Sequence, residues 1–261
     1  MTGSGPVLAL LCGGAVGFVL GLIGGGGSIL ATPLLLAVVG LPPHQAIGTG
    51  ALAVAVNAFA NLVSHARAGH VRWRRAGIFA LVGALGAALG STLGKAFDGE
   101  RLLALFALLM LVVGLLALRD QRAAPAEARV RPLARQIPRL AATGFAVGLL
   151  AGFFGIGGGF LIVPGLLFAT DLSMIEAVGS SLLSVGTFGL TAAVNYALSG
   201  LVAWAVAAEF ILGGVGGGLL GLALARHIAA RRSALRRVFA AIVLAVGAYL
   251  LVRAGREAGW V

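Results

Sequence analysis

Two glycine runs carry the most distinctive chemistry in this sequence. Gly24, Gly25, Gly26 and Gly27 precede Ser28 inside the apolar stretch GLIGGGGSILATP, and Gly155, Gly157, Gly158 and Gly159 punctuate GFFGIGGGFLIVP. Glycine disfavours helix by about 1 kcal/mol relative to alanine. Each run is therefore expected to break a helix and to leave backbone N–H groups unpaired where the next one starts. Such N–H groups, aligned with the helix dipole, form an anion site that needs no charged side chain. On this reading Gly26, Gly27, Ser28, Gly157, Gly158 and Gly159 are the candidate anion-binding residues. The same glycines also suit close packing of helices in a membrane, where small residues let backbones approach.

Polar side chains extend the pattern. Ser180, Ser184, Thr187, Thr191 and Asn195 recur at steps of 4, 3, 4 and 4 and form one stripe on a helix. Thr49, Asn57, Asn61 and Ser64 make a thinner stripe in the first half. Thr49, Asn57, Ser180, Ser184 and Thr187 are the candidates for passing an oxyanion along the pathway. Hydrogen bonding between helices, or back to a helix's own carbonyls, is the competing use of such residues. Glu209 is an acid within an apolar segment and is either a proton-coupling group or an interfacial carboxylate. His65 and His70 belong to an arginine-rich loop, and no second His or Cys stands near His44 at metal-ligand spacing. No metal or cofactor is therefore expected. GIGGG lacks the Gly-Lys-Ser/Thr of a P-loop, and no paired carboxylates or Ser/His/Asp set indicates an enzyme.

The elements that position these residues follow from composition. Hydrophobic residues make up 60% of the chain and charged residues only 10%, against roughly 25% charged in a soluble domain. Apolar blocks without polar alternation indicate a polytopic all-α membrane protein rather than a barrel or an open sheet. Ten helical segments are expected, at 6–23, 27–39, 45–63, 75–93, 101–118, 140–154, 158–169, 175–198, 203–225 and 235–252. Residues 1–118 and 140–261 form two transmembrane halves, joined by an Arg/Pro-rich cytoplasmic linker at 119–139. The first residues hold no Lys or Arg before the apolar run, so a removable signal peptide is not expected. Cys12 is the single cysteine and allows no intrachain disulfide.

The halves are copies. A gapless shift of 131 positions superposes Gly17 on Gly148, Gly26 on Gly157, Pro33 on Pro164, Trp73 on Trp204, Gly83 on Gly214 and Gly90 on Gly221. Net charge is +11, but its distribution points to membrane orientation and not to nucleic acid. Arginines crowd HARAGHVRWRR, the linker and ARHIAARRSALRR, which the positive-inside rule places in the cytoplasm. The uncharged LSGLVAW loop then faces outward. Gly69 lies inside while its mate Gly200 lies outside, so the halves are inverted, a common transporter arrangement. Segment 158–169 spans roughly 18 Å as a helix, too short for a core of about 30 Å. With 140–154 it is expected to form a re-entrant hairpin broken at its glycine tip, and the first half opens with another. Pro33 and Pro164 are placed to bend or end the short second arms. Trp73 and Trp204 mark opposite interfaces.

The paired motifs, Gly24-Gly25-Gly26-Gly27-Ser28 with Pro33 and Gly155-Ile156-Gly157-Gly158-Gly159 with Pro164, resemble those of the sulfite exporter TauE/SafE family. So do LPPHQAIGTG, SMIEAVGSSLLS and the turns Gly69–Trp73 and Gly200–Trp204. Ser28 and Gly25 depart from the family pattern at the first tip. The resemblance implies an inner-membrane permease exporting sulfite, sulfoacetate or a related organosulfonate, with membrane lipid and a small anion as its partners. A proton-coupled importer of an organic anion and a non-transporting membrane scaffold are the alternatives.

Overall fold

Buried in lipid, a backbone must satisfy its own hydrogen bonds, and these apolar blocks do so as helices. The computed structural model describes residues 5–23, 25–118, 132–227 and 232–257. In chain order the helices are α1 (Gly5–Ile23), α2 (Ala31–Ala37), α3 (Pro43–Arg67), α4 (Trp73–Ala96) and α5 (Gly99–Leu118) in the first half. The second half holds α6 (Leu133–Phe154), α7 (Gly159–Ala169), α8 (Met174–Ala197), α9 (Trp204–His227) and α10 (Arg232–Glu257). Five described helices are long and apolar enough to cross a membrane: Pro43–Arg67, Trp73–Ala96, Ala134–Phe154, Met174–Ala197 and Trp204–Gly221.

Several boundaries differ from the sequence expectation. Residues 133–139 are helical and extend α6 ahead of Leu140, with Pro138 accommodated inside the helix. The rest of the expected linker, 119–131, lies outside the described residues, as does Gly24. Pro164 does not end α7, which continues to Ala169. Pro33 falls in the first turn of α2, where its missing N–H has no intrahelical partner to lose. The second arm of the first half is not one α-helix from Gly27. It opens as a 3-10 helix over Gly25–Leu30 and becomes α-helical only at Ala31.

The packing repeats with the 131-residue register. Helix α1 packs on α9 and α6 on α4, so the first helix of each half pairs with the fourth helix of the other. A methyl group at Gly17 would collide with the Gly214 carbonyl, and one at Gly148 with the Gly83 carbonyl. These two contacts are the same contact made twice, because 17 and 148, and 83 and 214, are repeat mates. Gly13 against Phe210 and Gly144 against Phe79 continue both seams. Small residues spaced four apart thus bring two backbones into contact, the usual way helices associate where water supplies no driving force.

Helices α3 and α8, themselves mates, form the central pair. They run antiparallel: Gly48 lies against Tyr196 and Leu201, Gly186 against Phe59, and Gly179 against His70. Helices α5 and α10 also cross antiparallel, with Gly114 at Leu244 and Gly247 at Met110. Phe79, Phe106, Phe188, Phe210 and Tyr196 are among the largest fully buried side chains of the core.

Candidate anion site between the glycine tips

Helix α6 stops because Gly155 adopts φ +63°, a left-handed conformation that closes the last turn. Its N–H donates to Gly152 O (3.1 Å), and the Ile156 N–H donates to Ala151 O (3.2 Å). Gly157 and Gly158 are also left-handed, at φ +64° and +68°. Three such residues in four positions are accessible essentially to glycine alone. Helix α7 then starts with no side-chain cap. The Gly158 carbonyl accepts from the N–H groups of Leu161 (2.8 Å) and Ile162 (2.9 Å). Those of Gly159 and Phe160 are the donors that a helix start leaves over.

The tip is fully buried. Gly155 is set against Ile47 of α3, and a methyl at Gly157 would stand 2.9 Å from Val54 and 3.4 Å from Val185. Val54 and Val185 are repeat mates, so Gly157 sits where the two halves meet. The 3-10 segment that contains Gly26, Gly27 and buried Ser28 packs on α7. The structure therefore brings both chain breaks together, although their local geometries differ.

The polar candidates divide into two kinds. Thr49 Oγ1 accepts the Ala203 N–H (3.0 Å), and Ser180 Oγ accepts the Arg72 N–H (2.9 Å). These bonds are repeat mates, and each ties a central helix to the turn before α9 or α4. Thr187 Oγ1 donates to Leu183 O (2.8 Å) and Thr191 Oγ1 to Thr187 O (2.8 Å), the back-bonding use of a helical threonine. Asn195 Nδ2 joins α8 to α4 through Ser91 Oγ (2.7 Å) and Thr92 Oγ1 (2.9 Å). In contrast, Asn57 and Ser184 are buried with side-chain polar atoms that have no hydrogen-bond partner among the described residues. Thr32 shares that condition and is absent from the sequence-based set. Its signal was available, since it stands within the first glycine motif next to Pro33.

The remaining groups lie toward the helix ends. Glu209 is half-buried on α9 and makes no ion pair or hydrogen bond among the described residues. Two surface clefts flank the central pair. One, of about 390 Å³, is lined by Val71, Arg72, Trp73, Arg74 and Arg75. The other, of about 320 Å³, is lined by Pro42, Pro43, His44, Gln45, Gly99, Glu100 and Leu201. Neither lining includes a tip residue. Arg72 pairs with Glu176 at the first cleft, its Nε donating to Oε1 at 2.8 Å. Trp73 and Trp204 are both exposed at their helix starts.

A family model described as sulfite exporter TauE/SafE matches residues 9–250. A probable membrane transporter protein of Xylella fastidiosa (strain 9a5c) is 56% identical over 254 residues, covering 97% of both chains. The probable membrane transporter protein YunE of Bacillus subtilis is 27% identical over 241 residues, 85% of this chain and 88% of that one. A third, the ORF9 protein of Sinorhizobium sp, also named a probable membrane transporter protein, is 31% identical over 196 residues, 73% of this chain and 71% of its own. No solved structure gives a significant match. With its helical spans and a match over nearly its whole length, this chain belongs to the sulfite exporter TauE/SafE family of multi-pass membrane transporters.

Proposed function

We propose that this protein exports a small sulfur-containing oxyanion, sulfite or a related organosulfonate such as sulfoacetate, across the cell inner membrane. The substrate binds between the glycine tips at the membrane midplane, held by N–H groups at the starts of the short second arms. The halves are inverted, and each opens with a hairpin that enters and leaves on one side. The antiparallel packing of mates α3 and α8 supports the inversion. Helix α7, at 11 residues, is roughly 16 Å long against a core of about 30 Å, which supports the hairpin. The observation that carries the reading is the run of left-handed glycines leading into an uncapped helix start, buried between Val54 and Val185. Irregular backbone at membrane depth persists only where protein or a pathway surrounds it.

Energetics favour the outward direction. With the inside negative, each charge that leaves gains about 2.3 kcal/mol per 100 mV, so export requires no coupled ion. Import would require one, and the unpaired Glu209 is the acid available for that second reading. Efflux from proteoliposomes under an imposed potential and no pH gradient separates the two.

The tip is tested by Gly158→Val, with Gly69→Val as its control. Gly69 is also left-handed (φ +72°) but has open space around it, so both variants carry the backbone strain, while a side chain at 158 also presses on Ala151, 2.6 Å from its first carbon, at the tip. Sulfite efflux should fall more than about tenfold in the first, equivalent to about 1.4 kcal/mol, and stay near wild type in the second. Normal efflux from a correctly assembled Gly158→Val protein overturns the site.

A further inference from the structure

Among the described residues, His44, His65 and Tyr196 hold buried, unpartnered polar atoms toward the helix ends, whereas Thr32, Asn57 and Ser184 do so near one level in the middle of the helices, the Asn57 amide resting on Gly214 of α9. Thr32 and Asn57 are 1% exposed and Ser184 is 0% exposed. Gly157 marks that level, lying between Val54 of α3 and Val185 of α8. Asn57 is three residues past Val54, and Ser184 is the neighbour of Val185. Thr32 faces Gly50, where a methyl would stand 3.3 Å from its Oγ1, and Gly50 is four residues before Val54. Asn57 and Thr32 are thus about one helical turn, roughly 5 Å of rise, from the tip's level, and Ser184 about 1.5 Å.

Comparison of the halves shows that the fold does not require this polarity. The repeat mate of Thr32 is Val163, that of Asn57 is Phe188, and that of Ser184 is Ala53, all buried and apolar. Phe188 fills its place by stacking on Phe79, with ring centroids 6.1 Å apart. The buried hydroxyl pair that occurs in both halves, Thr49 and Ser180, is spent on backbone N–H groups. At Thr32, Asn57 and Ser184 the polarity is found in one half only, is left unsatisfied, and lies at the level of the tip, which points to a ligand.

The chemistry of the set narrows the ligand, given the exporter reading above. Whichever way the Asn57 amide is turned, it presents an acceptor and two donor hydrogens. A fully deprotonated oxyanion has only acceptors and would leave that amide oxygen buried and unpaired. No Lys or Arg is among the buried polar residues described, and a helix start supplies only about half a positive charge. A second negative charge would therefore lack compensation. We propose that the site binds a monoanion that keeps an O–H, hydrogen sulfite in the sulfite series, the O–H donating to Asn57 Oδ1 and the oxyanion accepting from Ser184, Thr32 and the tip N–H groups.

Titratable groups on the elements around Asn57 stand away from this level. Among the described side chains they are His44, His65 and Arg67 toward the ends of α3, Glu176 in the first turn of α8 and Tyr196 in its last turn, Glu100 and Arg101 at the start of α5, Cys12 on α1, and Glu209, five residues before Gly214 on α9. A ligand that does not titrate controls for all of them.

The test measures binding of sulfite, methanesulfonate and sulfate to the full-length protein in nanodiscs, across the second ionisation of sulfurous acid. Methanesulfonate is a permanent monoanion without an O–H, and sulfate is a dianion. Apparent affinity for total sulfite should weaken about tenfold per pH unit above that ionisation, as the competent fraction falls. Methanesulfonate should bind more weakly than hydrogen sulfite by roughly five- to hundredfold, without that pH dependence. Asn57→Leu should remove the preference between the two monoanions. Sulfite affinity that is flat or rising with pH, or sulfate binding as tightly as hydrogen sulfite, overturns the inference while leaving an anion exporter standing. So does an intact preference in Asn57→Leu. If none of the three anions binds the wild-type protein, the exporter reading fails and this inference falls with it. The comparison of ligands on the unmodified protein decides the matter even where a variant does not assemble.

Discussion

At the scale of single residues, hydroxyls of one type do two different things in this membrane. Thr49 and Ser180 each accept a backbone N–H from a turn that follows in space but not in sequence. Removing either oxygen strands a part-buried donor, which costs up to about 1 kcal/mol. Thr49→Ala and Ser180→Ala should therefore lower the melting temperature of the purified protein with little change in ligand-induced stabilisation. Ser184 has no such partner among the described residues. Ser184→Ala removes an unsatisfied buried hydroxyl, so it should leave the melting temperature at or slightly above that of wild type and weaken the shift produced by sulfite. Equal behaviour of Ser180→Ala and Ser184→Ala would erase the distinction. Spacing on a helix placed both residues on one stripe, and nothing in that spacing could tell an occupied hydroxyl from a vacant one, because the occupants come from residues 72 and 203.

At the scale of elements, glycine has two roles that a sequence count confounds. Some glycines separate backbones. A methyl at Gly148 meets the Gly83 carbonyl, and one at Gly17 meets that of Gly214. Overpacking of this kind costs typically about 1–3 kcal/mol, so Gly148→Ala and Gly17→Ala should each lower stability, measured as loss of folded protein on heating in detergent. Others merely sit in helices. Gly77 of α4 and Gly216 of α9 have open space where a methyl would go. Gly77→Ala and Gly216→Ala should be neutral or stabilising by up to about 1 kcal/mol. A loss of stability at Gly77 comparable to that at Gly148 would mean the seams are not what holds these helices together. The run at residues 155–158 belongs to neither class, since its glycines are required by left-handed backbone. The sequence identified that run as a break in a helix. It did not identify the 3-10 geometry of Gly25–Leu30, because four adjacent glycines specify little local conformation of their own.

At the scale of the molecule, the two halves exchange helices. Each first helix lies on the fourth helix of the opposite half, α1 on α9 and α6 on α4, so neither half packs as an independent unit. With the inverted orientation proposed here, the turns at Gly69 and Gly200 face opposite sides of the membrane. Gly69→Cys and Gly200→Cys, each in a Cys12→Ala background, test this. A membrane-impermeant thiol reagent should label the second in intact cells and the first only after permeabilisation. Labelling of both from the same side would exclude inversion. Charge is arranged asymmetrically about the same axis. Arg72 and Glu176 pair at one end of the central helices, while their repeat mates at the other end are Ala203 and Gln45.

Composition and pattern alone determined that this chain is helical and crosses the membrane repeatedly, because backbone polar groups in lipid leave few alternatives. They also determined that it is a tandem repeat with one glycine break near the start of each half, since a gapless register is visible without any coordinates. The partners of those breaks were beyond the reach of sequence. That Gly157 rests between Val54 and Val185, that Thr49 and Ser180 are committed to distant turns, and that Thr32, Asn57 and Ser184 are left unpaired are outcomes of helix-on-helix packing. In a chain whose hydrophobic segments look alike, which helix meets which is set by where small residues let two backbones touch, and that is a property of surfaces brought together and not of neighbours along the chain.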